Sequence, residues 1–126
     1  MTRIHHQKLP DHSTLLSGHS PPNAVGVQST QLQIWFNNTT EHWVDERPHA
    51  HARSDECFIV LRGAITVEVE GERFTISAGE FCCFPRGVFH AVTGVETPVE
   101  SLMIRAPSVQ DKLFEPPADD REGDES

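Results

Sequence analysis

The stretch that decides the fold is Ala64-Ile65-Thr66-Val67-Glu68-Val69-Glu70-Gly71-Glu72-Arg73-Phe74-Thr75-Ile76. Ile65, Val67 and Val69 fall on one side of an extended chain, and Thr66, Glu68 and Glu70 fall on the other. Gly71 turns the chain, after which Phe74 and Ile76 resume the alternation. A helix would space its apolar residues three and four apart. A period of two in β-branched residues is the signature of a strand with one wet face, so the segment reads as a β-hairpin.

Outward from this hairpin, Gly, Pro, Asn and Asp punctuate the chain every six to twelve residues, and the apolar residues between them are β-branched or aromatic. Further strands are expected near 24–30, 31–36, 42–44, 56–61, 80–84, 89–93 and 99–105. The fold class is therefore all-β, and short antiparallel strands of this kind must close on themselves or pair into a sandwich. Residues 24–106 are read as the β-barrel domain. Residues 1–23, polar and containing Pro21-Pro22, read as an N-terminal arm, and residues 107–126, with Pro116-Pro117 and a run of acids, as a C-terminal tail. Within that tail, Ser108 and Asp111 have the spacing of a cap on a single helical turn.

At 126 residues the chain has room for one domain. Its formal net charge of -9 is uneven, since residues 111–126 hold seven acids and two bases. No basic stripe is present, which argues against nucleic acid or an anionic membrane as partner. No apolar run approaches the ~18 residues of a membrane span, and the N-terminus lacks the apolar core of a secretion signal, so a cytoplasmic location is expected. Three cysteines, Cys57, Cys82 and Cys83, cannot form a fully paired disulfide framework, which fits a reducing compartment. All three read as inert thiols, with at most one of the adjacent pair pointing inward. The sequon-like Asn37-Asn38-Thr39-Thr40 reads as a polar turn.

The chemistry-bearing residues flank the hairpin. His49 and His51, two apart, point to one face of a strand and form a chelating pair. Glu56 shares its parity with Phe58 and Val60, so a carboxylate and an apolar row occupy one face of the next strand. The count from His51 to Glu56 is odd, so residues 52–55 must contain a turn or bulge; a straight strand would present Asp55 instead. His90 follows Pro85-Arg86-Gly87, a turn that sets the entry to a strand.

Taken together, His49-x-His51-x4-Glu56-x6-Gly63 and Gly79-x5-Pro85-x-Gly87-x2-His90 resemble the two consensus motifs of the cupin superfamily at every spacing. With residue usage of about one in twenty per position, this agreement at eight positions is far beyond accident. The resemblance implies a small single-domain cupin with a double-stranded β-helix, or jelly-roll barrel. It also implies that His49, His51, Glu56 and His90 are the protein ligands of one divalent transition metal. Three imidazoles and a carboxylate suit Fe, Mn, Ni, Cu, Co or Zn. Where the family often carries Asn four residues after the last His, this chain has Gly94.

The remaining residues are read more plainly. Trp35, Phe36 and Trp43 are expected in the core or at a dimer contact. Arg53 and Arg105, ahead of Arg47 and Arg86, are candidates to hold an anionic substrate, although solvated charge is the simpler reading of each. His5, His6, His12 and His19 lie in the polar arm with no second ligand at chelating spacing. Unpaired strand edges, with Leu32, Ile34 and Trp35 near one of them, point to a homodimer. The expected activity is that of a dioxygenase-type enzyme acting on a small chelating molecule, with Glu56 doubling as a catalytic proton acceptor. Metal-assisted isomerase, lyase or cyclase chemistry, or small-molecule binding without turnover, are the alternatives.

Overall fold

A computed structural model describes residues 4–19 and 26–115. Nine strands are present and no helix among the described residues: β1 (Thr14–Gly18), β2 (Val27–Gln28), β3 (Gln33–Thr39), β4 (His49–His51), β5 (Asp55–Val69), β6 (Glu72–Ser77), β7 (Phe81–Phe84), β8 (His90–Ala106) and β9 (Lys112–Phe114). No described helix is long and apolar enough to cross a membrane.

Two long strands organise the barrel. β5 and β8 run antiparallel from Asp55↔Ala106 to Val69↔His90, with register shifts near Arg62 and Val67. β6 and β7 pair with β5, while β3 and β4 pair with β8. The result is an all-β jelly roll. The hairpin expected at Gly71 is present, with Val69 opposite Glu72, and the turn uses positive φ at Glu70 and Gly71. The core is Phe58, Val60, Ile65, Val67, Ile76, Phe84, Val92 and Val99, which follows the alternation of β5. Phe74, close to the hairpin tip, stays 42% exposed.

Several sequence expectations are corrected. The segments near 56–61 and 64–69 are one strand. Gly63 lies inside it at φ +75°, and a Cβ there would collide with the Glu96 carbonyl oxygen, so the glycine makes a bulge rather than a turn. The segments near 89–93 and 99–105 likewise join as β8. Residues 42–44 form no strand: at the end of this loop the Asp45 amide and carboxylate both bond the Val92 backbone. The expected arm contains β1, which pairs with β3, and the expected tail contains β9, which pairs with β4. Ser108 and Asp111 cap no helix. Because β1 covers β3, the strand carrying Ile34 and Trp35 is not an edge; the outer strands are β2, β6, β7 and β9. Residues 24 and 25 of the strand expected near 24–30, Pro21-Pro22 and Pro116-Pro117 lie outside the described residues.

Candidate metal centre

The cavity wall is built from cross-strand rows. Gln33, Arg105, Glu56 and Phe84 stand in register across β3, β8, β5 and β7, and Trp35, Met103, Phe58 and Cys82 form the next row. Side chains of alternate rows share a face, which gathers a carboxylate, a guanidinium and an apolar wall on the inside. Gln33, Arg105 and Glu56 of the first row and Trp35, Met103 and Phe58 of the second line a cavity of 640 Å³ together with Asn37, Trp43, His49, His51 and Val92. His19 and His42 also line it, although neither stood out in the sequence as part of a site.

His49, His51 and Glu56 are buried, and one potential ligand atom from each lies within 4.8 Å of the others. Residues 52–54 bend between β4 and β5, which supplies the parity break. Glu56 thereby turns inward at 4% exposure, while Asp55 stays outside and accepts the Arg86 amide at 3.0 Å. His90 is also buried: its Nε2 lies 2.6 Å from Glu56 Oε1, and its ring stacks on Phe84 with centroids 4.0 Å apart. The His49 and His90 centroids are 4.6 Å apart.

The contacts on the far sides of the rings fix their tautomers. His90 Nδ1 lies 3.0 Å from the Val88 carbonyl, which can only accept, so Nδ1 donates there and Nε2 is turned toward Glu56. His51 repeats the arrangement: Nδ1 lies 3.0 Å from Asp111 Oδ1, and Nε2 lies 3.4 Å from Glu56 Oε2. In the neutral state each ring turns an Nε2 lone pair toward Glu56, an arrangement that a shared cation would stabilise; in the protonated state each ring donates to the carboxylate instead. A divalent metal fits this donor set, and the carboxylate and carbonyl behind the rings are the outer support such ligands usually have.

Charge at the site follows from the same contacts. Burial and the neighbouring His90 hold His49 down to about 4, so its imidazole is neutral at physiological pH. Burial would raise Glu56, but hydrogen bonds from His51 and His90 outweigh it and bring the carboxyl to about 2. Burial would also lower His51, yet the Glu56 and Asp111 carboxylates raise it instead.

Asp111 is the functional residue that sequence reasoning missed. Its carboxylate accepts from His51 Nδ1, from the Arg53 amide at 3.0 Å, from Ser54 Oγ and from Arg105 Nη1 at 2.8 Å. Those bonds, led by Ser54 and His51, overcome the effect of burial and hold it at about 2. The only local signal was an acid in an otherwise solvated tail. Of the arginines expected to hold an anion, Arg53 is exposed and joins the clamp through its backbone. The Nη atoms of Arg105 are taken by Asp111, the Val109 carbonyl, Ser54 and Gln33 Oε1. Arg105 thus acts first as a brace for Asp111. Arg47 lies over the Phe114 ring, and Arg86 is exposed. Phe36 is buried, whereas Trp35 and Trp43 are half-buried at the cavity.

Comparison with known proteins agrees with this architecture. The Cupin_2 family model, a cupin domain, matches residues 35–105. Among solved structures, KdgF from Halomonas sp. superposes with a TM-score of 0.61 at 21% identity, over 78% of this chain and 79% of that one. A cupin protein from Bacteroides fragilis gives 0.66 at 15% identity, over 91% and 93%. The DMSP lyase DddQ from Ruegeria pomeroyi gives 0.59 at 17% identity, over 81% of this chain and 50% of that one. At such identities the likeness concerns the fold alone. No curated protein matches the chain in sequence. With a family model spanning more than half of its length and His90 of the second motif meeting Glu56 of the first, the chain belongs to the cupin family.

Proposed function

We propose that the protein is a mononuclear metal-dependent enzyme in which His49, His51, Glu56 and His90 hold one divalent ion, and that it carries out a dioxygenase-type oxidation of a small chelating organic molecule. The observation that carries this reading is the convergence of His49, His51 and Glu56 at the cavity wall, backed by His90. When bound, the ion would supply a Lewis-acid centre and, for a redox-active metal, one-electron chemistry with oxygen. The chain's own residues shape what reaches it. Trp35, Trp43, Phe58 and Met103 keep bulk water from much of the wall, and Asn37 and Gln33 offer hydrogen bonds to polar substrate groups. Glu56, held ionised, is the candidate catalytic proton acceptor. The same reading takes the protein to be a cytoplasmic homodimer that binds neither nucleic acid nor membrane.

A second reading, Lewis-acid lyase, isomerase or cyclase chemistry at the same residues, is favoured by the many polar groups of the cavity and by the shared fold with a DMSP lyase. An oxygen-electrode screen of small chelating substrates separates the two. The first reading expects oxygen uptake in step with substrate loss for Fe(II)- or Mn(II)-loaded protein and none for the Zn(II) form. Equal turnover by the Zn(II) form without oxygen uptake selects the second, and a ligand that binds unaltered under every condition contradicts both.

A further inference from the structure

The face of the sheet away from the cavity carries a second reactive group. In the outward-facing row between the two cavity rows, Cys57 of β5 stands opposite Cys83 of β7. Their Sγ atoms are 3.1 Å apart, Cys83 exposed and Cys57 half-buried. Facing residues of an antiparallel pair have Cα atoms about 4.5–5.5 Å apart, inside the range of roughly 4.4–6.8 Å that a disulfide spans. Cys82, on the opposite parity, packs against the core, so the adjacent thiols diverge while the cross-strand thiols meet.

We propose that Cys57 and Cys83 form a cross-strand dithiol site that closes to an intramolecular disulfide by exchange with a small-molecule disulfide such as oxidised glutathione. The exposed Cys83 thiolate attacks one sulfur of the reagent, breaks its S–S bond and expels the first glutathione thiolate. Cys57 then gives up its proton and attacks the Cys83 sulfur of the mixed disulfide, expelling the second. The protein loses two electrons and two protons, and the reagent is reduced to two thiols. Cys83 is exposed and Cys57 half-buried behind it, so the reagent meets Cys83 first, which sets the order of attack. Cys57 follows Glu56 in β5, and Cys83 precedes Phe84, the ring stacked on His90, so the bridge would tie together the two strands behind the candidate metal centre. The dithiol site itself does not rest on the metal reading.

The test uses the reduced full chain, incubated without denaturant in excess oxidised glutathione and then followed by intact mass and peptide mapping. The expected product is a monomeric chain lighter by two hydrogens, with one cross-link joining Cys57 to Cys83. Cys57→Ser should instead accumulate a glutathione adduct on Cys83, and Cys82→Ala should still close. The wild-type map decides the matter even if a variant folds poorly. A cross-link through Cys82 or between chains, a lasting adduct on wild-type Cys83, or three thiols left unmodified would each overturn the proposal.

Discussion

Glu56 and His90 stand on strands of 15 and 17 residues, whereas His49 and His51 stand on a strand of three. The long strands are positioned by a continuous ladder and by the core packed against them. The short one has a single register pair with β8, His49↔His90, and is otherwise held by β9, by the Gly87 amide on the His51 carbonyl and by the Asp111 carboxylate. Side-chain packing fixes one half of the site, and a polar clamp from the far end of the chain fixes the other. Buried apolar packing is forgiving of small changes, but a carboxylate with four donors is costly to remove, because His51 Nδ1 and the Arg53 amide lose the acceptor they share.

The two halves can be weakened separately by substitution. Phe58→Ala removes a core side chain from β5 and should cost about 3–5 kcal/mol in urea unfolding. Asp111→Ala leaves His51, Ser54, Arg53 and Arg105 without their shared acceptor. Its metal affinity, read by competition with a chelating dye, should fall about 10–100-fold. An Asp111→Ala protein that bound metal as tightly as wild type would show that the clamp does not position His51.

Acid should reveal the clamp with a defined sign. A carboxylate whose folded pKa lies below its unfolded value stabilises the fold at every pH above the unfolded value, and that contribution is lost as pH falls through the folded one. Asp111 and Glu56, ordinarily at 3.8 and 4.5, are both brought to about 2. Metal-free protein should therefore lose stability as pH falls from about 4 to 2. Asp111→Asn should show a shallower loss over that window in a urea-midpoint series. The smallest effect belongs to the wet face of the hairpin. Arg73 pairs with Glu68 at 3.1 Å in exposed surroundings, and Arg73→Ala should change stability by less than about 1 kcal/mol.

These contrasts also explain what the sequence disclosed. The β5–β6 hairpin was legible because one of its faces is wet, which makes the alternation visible. His49, His51, Glu56 and His90 were legible because their spacing is local to two short motifs. β1 and β9 were hidden: β1 is short and only partly buried, all three residues of β9 are exposed, and neither shows a run of buried alternation. The unity of β5 was hidden because Gly63 reads locally as a turn, and only the close approach of the Glu96 backbone shows it to be a bulge. Asp111 was out of reach of local reasoning, since its partners His51, Arg53 and Ser54 precede it by 57 to 60 residues. Long-range polar contacts leave no periodicity to read.

Four side chains, drawn from both halves, are proposed to hold one ion. Elemental analysis after dialysis against a mild chelator tests it most directly, on wild type and on the double variant His51→Ala/His90→Ala. Circular dichroism should confirm that the variant keeps its β-sheet content. About one transition-metal ion per wild-type chain is expected, as for a mononuclear site, with most of it lost in the double variant. Full occupancy in the folded double variant would contradict the four-ligand site.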